Sequence, residues 1–380
     1  MTKTNPANER IKRAYLIYLK DAKGQSVASV DHAAAAIDRF QDHTGHRDFK
    51  AFTIEQARSF KQQLARAKNP KTGRAIAPAT MCAILTALRA FTIWLAGQPG
   101  YRSRIQYSDA DYFSPSGSDA RIAQGRREQP APSLEQVRHM IHAMPTDGEI
   151  DRRNRAVVAF IALTGARDGA VASFKLKHID IRAGRVHQDA REVRTKRSKT
   201  FDTWFFPVGD DIRSIVEDWV CYLTEAKLWG PDDPLFPATR IGHVAGQGFQ
   251  PVGLDRRPWA GAGPIREIFK AGWAAAGLPY YRPHSLRTTL GRLGETVCRS
   301  PEQFKAWSQN LGHEGVMTTF TSYGTVRPER QAEIIGGLGR TLDQNPDLLS
   351  EDIVRRVLRA VRDEGRLGSD MGSGVAADAV

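Results

Sequence analysis

Residues 311–324 read LGHEGVMTTFTSYG, and the roles of His313 and Tyr323 within this stretch decide how the rest of the chain is read. The two residues stand ten positions apart in a polar, threonine-rich segment flanked by glycines. Two readings are open at this point. The tyrosine packs on the histidine in a core, or the pair is a nucleophile and its helper. The stretch alone does not separate them.

Composition narrows the field. The chain has 380 residues, enough for two domains and a sizeable core, with 41% hydrophobic and 26% charged residues, as in ordinary globular proteins. Its formal net charge of +13 and pI near 9.8 favour a polyanionic partner, nucleic acid first and a membrane surface second, against the alternative of a merely basic surface. The three cysteines, Cys82, Cys221 and Cys298, are widely spaced and form no CxxC, which argues against a disulfide framework or zinc site and for a reducing cytoplasm. The opening MTKTNPANERIKR has no apolar core of a secretory signal, and no apolar run is read as reaching the length that spans a bilayer.

Working back from the quoted stretch, the first ~100 residues read as a small helical bundle. IKRAYLIYLKDAKG carries Ile11, Tyr15, Leu16 and Leu19 at helical spacing, and SVDHAAAAIDRF is an alanine-rich second helix. Thr53 and Gln56 form a capping-box pattern before Phe60 and Leu64. PATMCAILTALRAFTIWLAG aligns Ile84, Leu88, Phe91 and Leu95 on one stripe, with Pro78 near its start and Gly97 at its end. From Glu55 to Phe91 the cations Arg58, Lys61, Arg66, Lys68, Lys71, Arg74 and Arg89 face one acid, Glu55, a bias that fits a phosphate-tracking surface better than an ordinary solvated face.

The stretch 114–132 is polar and rich in Gly, Pro and Ser, and reads as a linker between a helical domain, 1–113, and a second domain, 133–345. The second domain opens with another capping box, Ser133 and Gln136, and is mixed. RNRAVVAFIALTG is a buried helix ending at Gly165. HIDIRAGRVHQ and TFDTWFFPV are strands flanking the basic VRTKRSKT as a hairpin. Residues 231–263 read as a long Pro/Gly-rich connection. Residues 346–380 are expected to hold one amphipathic helix, 351–364, and a disordered tail. The expected fold class is mainly α, a helical domain followed by an α+β domain with a small antiparallel sheet.

Four segments of the second domain carry candidate chemistry: TGAR (164–167), TKRSK (195–199), HSLR (284–287) and LGH…Y (311–323). Each is weak singly, since Arg167 can cap a helix, Lys196 can be a solvated hairpin lysine, and His284 with Arg287 can be a surface pair. As an ordered set behind a basic helical bundle, they resemble the tyrosine site-specific recombinases, the phage-integrase family, over roughly residues 8–345. The bundle resembles that family's core-binding domain more loosely, through the TMCAILTALRAFTIWLAG helix.

The resemblance implies roles. Tyr323 matches the nucleophile, Arg167 and Arg287 the two phosphate-clamping arginines, His284 the histidine of H-x-x-R, His313 that of LGH, and Lys196 the hairpin lysine, with Lys199 competing. The residue types suit the chemistry. Two forked guanidiniums can hold the oxygens of a pentavalent phosphorane. A phenol with a pKa near ~10 needs a cationic site and a proton acceptor to attack. The family conserves bond energy in a 3′-phosphotyrosyl link, so neither a cofactor nor a metal is expected, and neither a Walker loop nor an acidic metal cluster is read in the sequence.

Three departures stand out. The family's acid three positions after the first arginine is Ala170 here, so either the support that acid gives neighbouring site residues is missing or Asp168 replaces it. The usual LGH-to-tyrosine interval of nine is ten, and one residue turns a helix by about 100°, which predicts an irregularity just before Tyr323. The 231–263 connection matches no family element.

The expected partners are double-stranded DNA with an inverted-repeat core site and three further copies in a tetramer. An accessory directionality factor is a further candidate, and no membrane is expected. The expected location is the bacterial cytoplasm, at the nucleoid, and the expected task is integration or excision of a mobile element. Two alternatives remain at this stage, a catalytically silent DNA-binding relative and a type IB topoisomerase-like relaxer. A metal hydrolase built on His284 and His313 lacks carboxylates.

Overall fold

The computed structural model of the chain describes residues 4–69, 73–117, 121 and 130–313. Lys71, Tyr323, the interval before it, the 351–364 segment and most of 114–132 lie outside the described residues. The chain divides into two compact units, Met1–Arg127 and Glu128–Val380.

The first unit is helical: α1 (Pro6–Ile17), α2 (Val27–His43), α3 (Ile54–Arg66) and α4 (Pro78–Ala96). The helix starts follow side-chain chemistry. Asn5 accepts from the amides of Ala7 and Asn8, and Ser26 from that of Ser29. The Thr53–Gln56 capping box is formed, and Pro78 opens α4 at a position that needs no N–H. Aromatic rings fill the core, with Phe40 edge-on to Phe60 at 5.4 Å and to Phe113 at 5.3 Å. Asn8 is fully buried, donating to the Arg47 carbonyl at 2.8 Å and accepting from the Phe49 amide at 3.0 Å. One sequence reading needs correction here. At 19 residues with a single charge, Arg89, α4 is long and apolar enough to cross a membrane. Its Ile84, Leu85, Leu88, Phe91 and Leu95 are instead buried in the bundle core.

The second unit is built around α6 (Glu149–Thr164), which is preceded by α5 (Leu134–Ala143). From Ala156 to Thr164 every residue of α6 is buried. The Ser133–Gln136 capping box starts α5, with amide-to-side-chain bonds of 2.9 and 3.2 Å. After the short α7 (Asp168–Val171) comes an antiparallel sheet of β1 (Ile179–Asp180), β2 (Arg185–Gln188) and β3 (Phe201–Trp204), in that order. Val186 pairs with Ile179 on one side and Thr203 on the other. HIDIRAGRVHQ, expected as one strand, is itself a hairpin. Its chain reverses at Gly184, which has φ +62°. The basic VRTKRSKT does connect β2 to β3. Helices α8 (Asp210–Cys221), α9 (Gly263–Ala275), α10 (Ser285–Val297) and α11 (Pro301–Asn310) complete the unit.

A second correction concerns residues 231–263. They are not an open connection but carry a two-stranded ribbon, β4 (Pro237–Val244) paired with β5 (Gly248–Pro258), with register shifts at Pro237/Ala238 and Arg240/Ile241. The prolines sit at strand ends or on exposed positions of a two-stranded ribbon, where a missing N–H is tolerated. The root of the ribbon is tied to α6. Arg153, almost fully buried, donates to the Pro237 carbonyl at 2.9 Å and Thr239 Oγ1 at 3.0 Å, and lies 5.0 Å from the Trp259 ring. Glu149 accepts from the Leu254 amide at 3.0 Å and the Tyr222 hydroxyl at 2.9 Å, and pairs with Lys227. The far end bears Ile241 and Phe249 on its surface, 55% and 80% exposed.

Candidate active site

The site is assembled where α6 and α11 end against α10. Helix α6 stops at Gly165, whose φ of +59° is a left-handed cap that glycine adopts without strain. Space demands glycine as well. A Cβ at this position would lie 2.9 Å from Leu311 Cδ2 and 3.1 Å from Leu290 Cδ1. Helix α11 ends in a Schellman motif. The His313 amide donates to the Ser308 carbonyl at 3.2 Å and the Gly312 amide to the Gln309 carbonyl at 2.7 Å, with Gly312 at φ +70°. The two glycines of TGAR and LGH therefore have the same job, ending a helix abruptly beside the site.

Arg287, on the first turn of α10, is 4% exposed and stands between those two helix ends. Its Nη1 donates to the Gly165 carbonyl at 2.5 Å, and its Nη2 to the Leu311 carbonyl at 2.6 Å and to His313 Nε2 at 3.1 Å. Helix C-termini carry partial negative charge, so two of them converging on one guanidinium compensate a buried cation. Because Nε2 of His313 accepts, its Nδ1 carries the proton in the neutral ring. Burial first, then the charges of Arg287, Arg167, His284 and Lys199, push the His313 pKa down to about 4, so the ring is neutral at neutral pH.

His284 caps the start of α10. Its accessible area is that of an exposed residue, yet atoms crowd it closely enough that burial leads the lowering of its pKa, followed by Arg287 and Arg167, while Asp168 opposes. The ring is reachable from solvent, and a pKa lowered from 6.5 leaves it unprotonated at neutral pH. Arg167 is half-buried at the start of α7 and lines a narrow cavity with Arg287, Lys196, Thr195, Gln188 and Asn310. Lys196 is exposed in the turn Lys196–Ser198, where Arg197 and Ser198 hold positive φ. Of the two candidate lysines, Lys196 lines the cavity, whereas the charge of Lys199 is felt at His313.

The structure thus brings Arg167, Lys196, His284, Arg287 and His313 together. Tyr323 lies outside the described residues. At the position of the missing acid, Ala170 is buried and lines the same cavity. Asp168 bonds the Gly169 amide at 2.9 Å and Arg266 at 3.0 Å, so its carboxylate is engaged at the surface and reaches the site only through its charge on His284. The residues that sequence reasoning missed are neutral. Gln188 Nε2 donates to Thr203 Oγ1 at 2.9 Å, Thr203 Oγ1 to the Asn310 carbonyl at 3.2 Å, and Asn310 bonds the backbone of Trp204. Thr195 Oγ1 is buried with no partner among the described residues.

In the first unit, the expected DNA-contacting cations differ in how engaged they are. Arg58 pairs with Glu55 at 3.2 Å and Arg89 with Asp111 at 3.0 Å, while Lys61 donates to the Ser114 carbonyl at 2.7 Å. Arg66 borders an open groove with Ser59, Gln62 and Gln63. Lys68 bridges to Ala75, which closes the turn that carries Arg74. Arg58, Arg66, Lys68, Arg74 and Arg89 are all exposed.

No protein-family model matches the sequence, and no curated protein matches it. Solved structures do match. The chain aligns with a lambda integrase (75-356) dimer bound to a COC′ core site at TM-score 0.57 and 13% identity, over 84% of this chain and 96% of that one. The fold is that of the tyrosine recombinases. The XerH site-specific recombinase bound to difH substrate, in a pre-cleavage complex, aligns at TM-score 0.55 and 15% identity, over 86% of this chain and 84% of that one. The Tn1549 transposon integrase in complex with transposon right end DNA does so at 0.55 and 13%, over 87% and 99%.

Proposed function

We propose that this chain is a site-specific DNA recombinase that cuts and rejoins strands through a 3′-phosphotyrosyl link to Tyr323. The observation that carries the reading is that Arg167, Arg287 and Lys196 line one cavity of a tyrosine-recombinase fold, with His313 bonded to Arg287 and both His284 and His313 within the charge field of the two arginines. Arg167 and Arg287 hold the non-bridging oxygens of the scissile phosphate, and His313 donates from Nδ1. His284, unprotonated at neutral pH, accepts the phenolic proton of Tyr323 as its oxygen attacks phosphorus. The P–O5′ bond breaks, and Lys196 protonates the departing 5′-oxygen. The reverse sequence, with a 5′-hydroxyl from another strand, reseals the DNA.

The exposed cations of the first unit, Arg66, Lys68 and Arg74 above all, track the backbone of an inverted-repeat core site, with Lys71 from the same turn. Four protomers act on two duplexes, and the task is integration or excision of a mobile element. Supporting that assembly, a lambda integrase structure of the same fold, at TM-score 0.51, is a tetramer bound to a Holliday junction.

The test is a nicked duplex that traps covalent protein. A core site is first recovered from randomised duplexes bound by the full-length Tyr323→Phe protein. The wild type then forms an SDS-resistant adduct on that site, and Tyr323→Phe binds it without forming one. A wild type that binds a recovered site and forms no adduct overturns the reading. Relaxation of supercoiled plasmid by a lone protomer, with no exchange between sites, would instead mark a topoisomerase.

A further inference from the structure

The Lys196 hairpin and the His313 helix end are separate elements in sequence, yet one residue binds them together. Asn310, the last residue of α11, has an amide side chain that acts as a strand residue. Its Oδ1 accepts from the Trp204 amide at 2.7 Å and its Nδ2 donates to the Trp204 carbonyl at 2.8 Å, which occupies the edge of β3 not paired with β2. Its own carbonyl, one of those a helix end leaves without an intrahelical partner, accepts from Thr203 Oγ1, which in turn accepts from Gln188 on β2. Two neutral side chains, Gln188 and Thr203, therefore run from β2 across β3 to the backbone of α11, and the Asn310 side chain returns to the backbone of β3. The next carbonyl, that of Leu311, is held by Arg287. Gly312 then presses on the Phe201 ring, where a Cβ would come within 2.6 Å.

We infer that Asn310 is a positioning residue that docks the β2–β3 hairpin on the end of α11 and so sets where Lys196 stands relative to the phosphate held by Arg287 and His313. The inference rests on the proposed role of Lys196 as proton donor to the leaving 5′-oxygen. The Lys196–Ser198 turn is exposed, with Arg197 and Ser198 at positive φ, and two outside anchors hold the hairpin that carries it. Arg194, just before the turn, donates to the Ala172, Trp259 and Ala260 carbonyls, and the Asn310–Trp204 pair fixes β3 on the side of α11.

The step that depends on Lys196 is proton transfer to oxygen as the P–O5′ bond breaks. A substrate whose bridging 5′-oxygen is replaced by sulfur breaks a P–S bond instead and releases a thiolate that needs no proton. The full-length Asn310→Ala and Thr203→Val proteins are compared with wild type on both substrates, in the core site recovered as above. On the oxygen substrate, Asn310→Ala is expected to slow adduct formation about 10- to 100-fold, part of the ~10²–10⁴-fold that a positioned general acid contributes. On the sulfur substrate its rate should fall within about threefold of wild type, as should that of Lys196→Ala, because no proton is required. Thr203→Val, of like shape, should show the same pattern more weakly. Equal slowing of Asn310→Ala on both substrates, with Lys196→Ala rescued by sulfur, overturns the positioning role alone. Failure of sulfur to rescue Lys196→Ala overturns it together with the assignment of Lys196. A wild type that forms no adduct on either substrate overturns the proposed function itself.

Discussion

Two regions of the second unit, the corner where α6, α10 and α11 meet and the β4–β5 ribbon, solve opposite problems. The corner buries a guanidinium between two helix ends, with glycines where any side chain would collide. Among the described residues the ribbon is fixed at its root, by Arg153, Glu149 and the pair of Arg256 with Asp233, and leaves Phe249 mostly in water at its far end. The same unit thus holds a place where substitution is expected to be costly and one where it is expected to cost little. Stability is local, set by how many buried groups depend on each residue.

The sharpest way to break this contrast is at Arg287. Its loss in Arg287→Ala strands the Gly165 and Leu311 carbonyls and His313 Nε2, at about 1–3 kcal/mol for each buried group left unsatisfied. Urea unfolding should show a loss of roughly 4 kcal/mol or more, and adduct formation should vanish. A loss below about 1 kcal/mol would mean that the corner is wetter than its geometry implies.

Next comes Gly165→Ala, which combines a left-handed backbone with close contacts to Leu311 and Leu290. The expected destabilisation is about 2–4 kcal/mol from strain and overpacking together. At the ribbon root, Glu149→Gln removes the pair with Lys227 but keeps an acceptor for the Leu254 amide, and should cost under about 1 kcal/mol at neutral pH. Burial opposes the Glu149 carboxylate, but Lys227, Tyr222 and the Leu254 amide outweigh it and hold its pKa below 4.5. A depressed carboxylate stabilises the fold above its unfolded pKa and loses that contribution as pH falls through the folded one. Protection of the β5 amides, taken relative to the intrinsic exchange rate at each pH, should therefore fall below about pH 4.5 in the wild type, and Glu149→Gln should flatten that dependence. The smallest effect is expected at Phe249→Ser, within about 0.5 kcal/mol in the same unfolding assay. A larger loss would show that the ribbon's far end is packed in solution.

The contrast also explains what was legible in the sequence. TGAR, HSLR and LGH could be read because each combines a scarce chemical group with a glycine or helix start that backbone geometry demands. The linkage of Gln188, Thr203 and Asn310 left no such trace, because polar residues at strand and helix ends are commonplace and their meaning comes from a partner up to 107 residues away. The ribbon was misread because its prolines and glycines resemble those of a loop. In a two-stranded ribbon every strand is an edge, so the usual penalty against them is relaxed. The charge count in the first unit was legible, but not its use: Asp111, downstream of the helices, folds back onto Arg89.

The abrupt end of α11 has a further consequence. Among the described residues, Gly312 and His313 are held by Ser308 and Gln309 through the cap, by Phe201 through contact and by Arg287 through the imidazole. His313 is thus a mooring post set before the ten-residue interval to Tyr323 begins. One added residue extends a chain's reach by at most about 3.3–3.6 Å. The bonds by which Arg287 grips the histidine and the two helix ends all lie outside that interval.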